Sequence, residues 1–204
     1  MYLTQITTDI QEIQKNGLFD NYRWKQELCK SLPPGEERSF LFRTTDKGRN
    51  GIVTWVLSRE YPKALPFGKW DIHKIAENFY RHKKYFFDLM ANPTLRRFKK
   101  PIDENGKEKM HGKRVGIPLE GHEGWIERKF KDAGCKVDLK FVSIDNYGLQ
   151  ICRHKDSETQ HSAVKFCGVI EVGNSEIFQK SVFSGFGSGK AFGFGLLLLK
   201  PIDD

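Results

Sequence analysis

The stretch SGFGSGKAFGFGLLLLK, residues 184–200, combines several glycines around one lysine with a run of four leucines. The nucleotide-binding loop G-x-x-x-x-G-K-[ST] does not fit it, because Ser184 stands where the first glycine belongs and Ala191 follows Lys190. The dinucleotide motif G-x-G-x-x-G fails too, since Lys190 occupies the place of its third glycine. Two interpretations stay open: a turn whose glycines allow tight packing, and a loop whose backbone contacts phosphate.

The residues around this stretch predict a helix, the glycine loop and a final strand, in that order. Asn174 is placed to cap a helix that Gly185 can end. The apolar positions of this helix are Ile177, Phe178, Val182 and Phe183. Residues 194–200 have the composition of a buried strand. A nucleotide-binding loop lies instead between a strand and the following helix, so the context also argues against nucleotide binding.

The N-terminal half predicts a β-α-β-β-α-β unit, the ferredoxin-like arrangement. Its strands are expected at residues 2–7, 40–45, 52–58 and 85–90. The first helix runs from its N-cap, Asp20, to about Ser31, and Phe19 and Trp24 stand at the positions of a hydrophobic staple. Its core-facing residues would be Trp24, Leu28 and Leu32. The second helix is expected at residues 70–80, although the aromatic content there leaves a strand open.

The C-terminal half repeats this order approximately. A helix at residues 121–133 would bury Trp125, Ile126 and Phe130 and stop at Gly134. Strands are expected at residues 139–144, 147–152 and 163–172, of which the last two form a hairpin. The chain is therefore predicted to be an α+β protein of two tandem ferredoxin-like (RRM-like, βαββαβ) domains, residues 1–90 and 91–204, with a C-terminal glycine-rich loop.

Composition points to a polyanionic partner. The 204 residues carry a net charge of +8 and a pI of about 9.3, which favours nucleic acid. The four cysteines form no C-x-x-C pair, so neither a zinc site nor a disulfide framework is predicted. The N-terminus lacks the pattern of a signal peptide, and the apolar run at residues 196–199 is too short to cross a bilayer. We therefore expect a cytoplasmic protein without a membrane partner.

Three basic segments are candidates for contact with a polyanion. In the glycine loop, Gly187, Gly189 and Lys190 would approach phosphate. The segment RRFKKPIDENGKEKMHGKR, residues 96–114, is by itself typical of a solvated loop, and such a loop can order on RNA. Arg153-His154-Lys155 ends a hairpin arm, from which cations can enter the groove of a duplex. Hairpin tips are also commonly charged for solubility, so this last signal is weak.

Candidate catalytic groups are few. None of the six histidines lies in a recognisable triad or metal-binding spacing, so no metal site is predicted. Tyr22 and Lys25 stand three residues apart in the first turn of the first helix and therefore share a face. A helix N-terminus favours phosphate. Without further information, a solvated lysine beside a partly packed tyrosine is the simpler interpretation of the pair.

Five segments carry a family resemblance: MYLTQI at residues 1–6, NYRWKQELCKSLP at 21–33, MANP at 90–93, KRVGIPL at 113–119 and SGFGSGKAFGFGLLLLKPI at 184–202. Together they resemble the CRISPR-associated endoribonucleases of type I-E systems, the CasE family of the RAMP superfamily. The resemblance covers essentially the whole chain, and the glycine loop with the final strand is its most specific part.

The resemblance implies a metal-independent endoribonuclease built of two ferredoxin-like domains. Family members cut the repeat hairpin of a long CRISPR transcript. The RNA's own 2′-OH attacks the scissile phosphate and leaves a 2′,3′-cyclic phosphate. The implied partners are the stem-loop crRNA and the other subunits of the Cascade complex, and no cofactor is implied.

The resemblance also assigns site residues. Tyr22 matches the family's tyrosine, whereas Lys25 stands where family members commonly carry the catalytic histidine. Charged Lys25 would stabilise the pentacoordinate phosphorane, and Tyr22 would either orient the 2′-OH or assist proton transfer. The implied RNA-binding residues are Arg23, Arg96, Arg97, Lys113, Arg114, Arg153, His154, Lys155, Gly187, Gly189 and Lys190. Because Lys25 replaces histidine, a non-catalytic Cascade subunit that binds repeat RNA is the alternative. A generic RNA-binding protein is disfavoured, since no RNP1 motif is evident.

Overall fold

The computed structural model describes residues 1–33, 40–97, 113–154 and 157–202. The first elements in chain order are β1 (Tyr2–Thr8), α1 (Ile10–Asn16), α2 (Asn21–Lys30), β2 (Phe40–Asp46), β3 (Ile52–Ser58) and β4 (Lys69–Lys74). The following elements are β5 (Lys84–Ala91), β6 (Thr94–Arg97), β7 (Lys113–Gly116), α3 (His122–Asp132), β8 (Cys135–Val137), β9 (Ser143–His154), β10 (Ser157–Val172), α4 (Ser175–Ser184) and β11 (Leu197–Ile202).

The first sheet has the strand order β2-β3-β1-β4, and all its neighbours are antiparallel. This is the order of a ferredoxin-like unit, in which the fourth strand lies beside the first. Residues 59–68, which connect β3 to β4, contain no helix. The helix predicted at residues 70–80 is wrong, because β4 occupies the start of that segment.

The sequence of β4 explains this correction. Trp70 and Ile72 alternate with polar residues and are half-buried, which is the period of a strand. β4 is an edge strand, and its antiparallel pairing with β1 extends from Lys69 to Lys74. Ile75 and Phe79, which suggested helical spacing, follow the strand and pack against the core of the second sheet.

The second sheet has the order β11-β5-β10-β8, and β9 also pairs with β10. This too is a ferredoxin-like order, with β5 as its first strand and β11 as its fourth. The strand predicted at residues 85–90 therefore exists as β5, but it begins the second unit and does not close the first. The boundary near residue 90 stays a prediction, and we propose that it lies between β4 and β5.

Two further segments complete the second half. β6 and β7 form a separate antiparallel ribbon. The strand predicted at residues 139–144 is only partly correct, because Leu139–Phe141 forms a 3₁₀ turn and β9 starts at Ser143. The predicted hairpin is confirmed by the long antiparallel pairing of β9 with β10.

Each sheet buries its own apolar cluster. Under the first sheet, Trp24 and Leu28 of α2 pack with Ile6, as their helical spacing predicts. The larger cluster lies under the second sheet and includes Trp125, Ile126 and Phe130 of α3. Leu41 and Leu57 of the first sheet also join this larger cluster, so the two units share packed surface.

Both predicted helix N-caps are present, but the predicted hydrophobic staple is not. The Asp20 carboxylate accepts from the Arg23 N–H at 2.8 Å, and the Asn174 side chain accepts from the Ile177 N–H at 3.0 Å. The predicted staple is wrong, because Phe19 is 71% exposed. Sequence reasoning missed α1, whose signal is the capping box formed by Asp9 and Glu12.

Candidate nucleic-acid interface

The first turn of α2 carries the two predicted catalytic residues. Tyr22 and Lys25 are both half-buried. Tyr22 lines a cavity of about 270 Å³ between α2 and β9, together with Phe19, Asp20, Asp46 and Gln150 among others. Lys25 does not line this cavity. Arg23, predicted to bind RNA, is exposed, and its guanidinium donates to the Gln26 amide oxygen at 3.1 Å.

The N-terminus of α2 is fixed to the glycine loop, residues 184–195. The Asn21 amide donates to the Phe192 carbonyl at 2.8 Å, and the Thr44 hydroxyl donates to the Asn21 amide oxygen at 2.6 Å. A Cβ at Gly193 would lie only 3.1 Å from the Asn21 amide nitrogen. The loop therefore positions the helix turn that carries Tyr22.

Tight packing accounts for the glycines of this loop. Gly187 has φ +81°, and a Cβ there would lie 2.9 Å from the Trp125 ring. Gly195 has φ +84°, and a Cβ there would lie 2.6 Å from the Phe186 carbonyl oxygen. Side chains other than hydrogen are excluded by both conformation and space. The packing interpretation of the loop thus explains the glycines, while the phosphate contact predicted for Gly187 and Gly189 stays a prediction.

Lys190 occupies a position that the sequence did not suggest. Its ammonium donates to the carbonyl of Ser184, at the last residue of α4. A cation there satisfies an orphan carbonyl and interacts favourably with the helix dipole. The phosphate contact predicted for Lys190 stays a prediction, and this hydrogen bond competes with it.

A second cavity, of about 200 Å³, lies where β6, β7, α3 and the glycine loop meet. Arg96 of β6, Arg114 of β7 and Lys129 of α3 line it beside Gly187 and Ser188. Because Arg96 and Arg114 are register partners, their side chains share one face of the ribbon. We call this the basic cavity. Arg97, one residue further along, belongs to the opposite face and does not line it.

Sequence reasoning missed Lys129. The signal was available, since Lys129 follows Trp125 by four residues and the two therefore lie on one face of α3. Trp125 is buried against Gly187 of the loop, which brings the neighbouring lysine to the loop as well.

Asn92, from the MANP segment at residues 90–93, connects three elements near the basic cavity. Its side-chain amide is 2.7 Å from His161 Nδ1, and its side-chain oxygen accepts from the Ser162 N–H at 3.1 Å. Its carbonyl accepts from the Ser188 hydroxyl at 3.1 Å. Asn92 thus ties the end of β5 to β10 and to the glycine loop.

His161 is the histidine that packs against the loop. Its ring lies 4.9 Å from the Phe192 ring, and burial lowers the pKa of its imidazole. Nδ1 faces the Asn92 amide, a donor, so the proton belongs on Nε2, which is 3.1 Å from the Thr159 hydroxyl. Both ring nitrogens are therefore used in hydrogen bonds, to Asn92 and Thr159, while the ring itself packs against the loop.

Four of the residues predicted to bind RNA have side chains outside the described part of the structure. Lys113 belongs to β7, and Arg153 and His154 end β9, but the side chains of all three are outside the described part of the structure. Lys155 lies outside the described residues altogether. The hairpin carries one unexpected feature: Tyr147, Leu149 and Ile151 of β9 are largely exposed.

Within the described ranges, no group of three or more His, Cys, Asp or Glu side chains is arranged to hold a metal ion. Among the helices of the same ranges, none has the length and apolar character that crossing a membrane requires.

A family model and several solved structures match almost the whole chain. The model of a family described as CRISPR associated protein matches residues 1–201. A search of the curated proteins gives no match.

Solved structures share the fold. A structure of the CRISPR endoribonuclease Cse3 bound to 19-nt RNA has 23% identity and a TM-score of 0.79, with 98% of this chain and 100% of that chain covered. The CRISPR-associated protein Cas6e from Escherichia coli K-12 has 23% identity and a TM-score of 0.73, with 99% and 100% covered. Thermus thermophilus Cse3, bound to an RNA representing a pre-cleavage complex, has 22% identity and a TM-score of 0.77, with 98% of each chain covered. The predicted α+β fold of two ferredoxin-like domains is confirmed.

Proposed function

The chain belongs to the CRISPR-associated protein family whose model spans residues 1–201, and from that premise we propose that it is an endoribonuclease for CRISPR repeat RNA. It binds the repeat hairpin, cleaves the precursor transcript without a metal ion, and keeps the crRNA as a subunit of Cascade. The full-length fold match to Cse3 structures with bound RNA supports this proposal.

One observation carries the proposal: a single loop joins the helix turn with the catalytic candidates to the basic cavity. Asn21 binds the loop at Phe192, and the Gly187–Ser188 part of the same loop lines the basic cavity. RNA that contacts the cations of this cavity would therefore be held in fixed register with Tyr22 and Lys25. Fixed register of this kind is what positions a phosphate for cleavage.

The proposed reaction is an internal transesterification. The 2′-OH loses its proton to solvent water and attacks the adjacent phosphorus, and the bond from phosphorus to the 5′-oxygen breaks as that oxygen takes up a proton from solvent. The products carry a 2′,3′-cyclic phosphate and a 5′-hydroxyl. Tyr22 orients the 2′-OH, and the ammonium of Lys25 stabilises the negative charge that develops on the phosphorane.

The charges around Tyr22 restrict where the scissile phosphate can lie. Asp20 and Asp46 line the cavity beside Tyr22 and would repel a phosphate placed inside it. Lys25 lies outside that cavity, so the scissile phosphate belongs toward Lys25. The cavity itself is then free for an uncharged part of the nucleotide.

A second function, binding of repeat RNA without cleavage, is favoured by the chemistry of Lys25 and by the hydrogen bonds of His161. Lys25 stands at the position of the family's histidine. His161, the histidine beside the loop, has both ring nitrogens engaged in hydrogen bonds. A lysine ammonium has no lone pair with which to accept the proton of the 2′-OH.

The two functions are separated by incubating the protein with the repeat RNA of its own genome in EDTA. Cleavage at the hairpin that is abolished by a 2′-deoxy group at the scissile nucleotide supports the enzyme. Tight binding of RNA that stays intact supports the non-catalytic subunit. RNA that is neither bound nor cut would reject both.

A further inference from the structure

We propose that the basic cavity is a discrete phosphate site, which holds an internal phosphodiester of the bound RNA apart from the phosphate that is cleaved. The inference rests on the proposed function, because it takes RNA as the ligand. It adds Lys129, which was not among the residues predicted to bind RNA, and it gives Arg96 and Arg114 one shared ligand.

Three separate elements bring cations to this one small volume. Arg96 and Arg114 face each other across the ribbon of β6 and β7, and Lys129 reaches the cavity from α3. Lys129 is half-buried where it lines the cavity, so part of its side chain is shielded from solvent. Two guanidinium forks and one ammonium suit the several oxygens of a single phosphate.

The carboxylates of the described residues do not neutralise the charge of the basic cavity. Among the described residues, no carboxylate lines it, and none lies within 4.0 Å of the charged nitrogens of Arg96, Arg114 or Lys129. Three like charges around about 200 Å³ repel one another, and an anion between them removes that repulsion. The cavity beside Tyr22 is the opposite case, since two carboxylates line it.

The hydroxyl groups beside the basic cavity are already committed to the protein. The Ser188 hydroxyl donates to the Asn92 carbonyl and lies 3.0 Å from the Thr94 hydroxyl. The cations are therefore the groups that would bind the anion. The hydroxyls instead hold the loop that forms the cavity wall.

The test compares two lysines of α3 that differ in position but not in charge. Lys129→Gln removes a cation from the basic cavity, whereas Lys131→Gln removes an exposed cation two residues away. The ligand is the repeat hairpin with a 2′-deoxy scissile nucleotide, which cannot be cleaved. We expect Lys129→Gln to weaken binding about 10-fold and to reduce the slope of log K against log salt by roughly 0.7–0.9.

The control variant should change affinity about 2-fold at most. Arg114→Gln, at an exposed strand position, should reproduce the loss seen for Lys129→Gln, and melting temperatures check that each variant is folded. If the wild-type protein binds the RNA and Lys129→Gln binds it as tightly as Lys131→Gln does, the phosphate site is overturned and the proposed function is retained. Absence of wild-type binding would instead remove the proposed function.

A second comparison identifies which phosphate is bound. Product RNA is tested with its terminal phosphate and after that phosphate has been removed. If Lys129→Gln weakens the affinity for both RNAs equally, the bound group is an internal phosphodiester. A loss confined to the RNA that carries the terminal phosphate would contradict the assignment.

Discussion

At the scale of single residues, the proposed mechanism depends on Lys25, which stands where the family resemblance leads us to expect a histidine. Lys25 shares a helix face with Tyr22, and the Asn21–Phe192 hydrogen bond fixes the turn that carries both. A cation in this place stabilises charge but does not by itself remove the proton of the 2′-OH. Lys25 should therefore affect the rate of cleavage far more than the affinity for RNA.

We expect Lys25→Ala to slow single-turnover cleavage about 100- to 1,000-fold, because it removes a charge that acts on the transition state. RNA affinity should fall by about 10-fold at most. Lys30→Ala is the control, since Lys30 lies on the same helix but pairs with Glu27 at 2.7 Å. Cleavage by Lys25→Ala at the wild-type rate would remove Lys25 from the mechanism.

At the scale of elements, the glycine loop was the best-predicted part and β4 the worst. Caps and stops act locally, so Asp20, Asn174 and Gly185 marked their helices correctly. The strand alternation of residues 69–74 covers only Trp70 and Ile72, and the pairing with β1 that completes the strand is not visible in a single sequence. That one error moved β5 into the wrong unit.

The candidate site followed the same rule. Tyr22 and Lys25 could be placed together because they belong to one helix, but their attachment to the loop joins residues that are 171 positions apart. The basic cavity combines strands, a helix and the loop, so periodicity alone did not group Lys129 with Arg96 and Arg114. Residues that share one helix could be grouped from the sequence, whereas contacts between distant segments could not.

The packing role of the loop predicts a difference between Gly187 and Gly48, two glycines that both have a positive φ. Gly187→Ala adds a Cβ 2.9 Å from the Trp125 ring, whereas a Cβ at Gly48 has no heavy atom within 4 Å. Both substitutions strain a left-handed backbone, which costs about 1–2 kcal/mol, and Gly187→Ala adds roughly 1–3 kcal/mol of overpacking. Urea denaturation measures both free energies of unfolding. Equal losses would show that the loop yields freely around Trp125.

At the scale of the whole molecule, one ionic cluster joins the two sheets. Arg43 of β2 is buried and donates to the carboxylate of Asp88 on β5. Lys165 of β10 is 3.5 Å from the same carboxylate, which raises the pKa of Lys165. A buried guanidinium without its carboxylate is costly, so this cluster favours one fixed arrangement of the two units.

Asp88→Asn should therefore destabilise the protein by roughly 2–3 kcal/mol, somewhat less than for a fully buried pair because Asp88 is partly exposed. Asp71→Asn is the control, since the contact of Asp71 with His73 is exposed and should contribute about 0.5 kcal/mol or less. Thermal and urea denaturation give both values. A loss for Asp88→Asn that matches the control would mean that the cluster does not join the units energetically.

The most direct measurement of the central claim is the chemistry of the RNA ends after reaction in EDTA. Mass spectrometry of the products should find a 2′,3′-cyclic phosphate on one fragment and a 5′-hydroxyl on the other, with no reaction when the scissile nucleotide lacks its 2′-OH. Fragments ending in a 3′-hydroxyl and a 5′-phosphate, or cleavage that persists without the 2′-OH, would contradict RNA cleavage by internal attack on this surface.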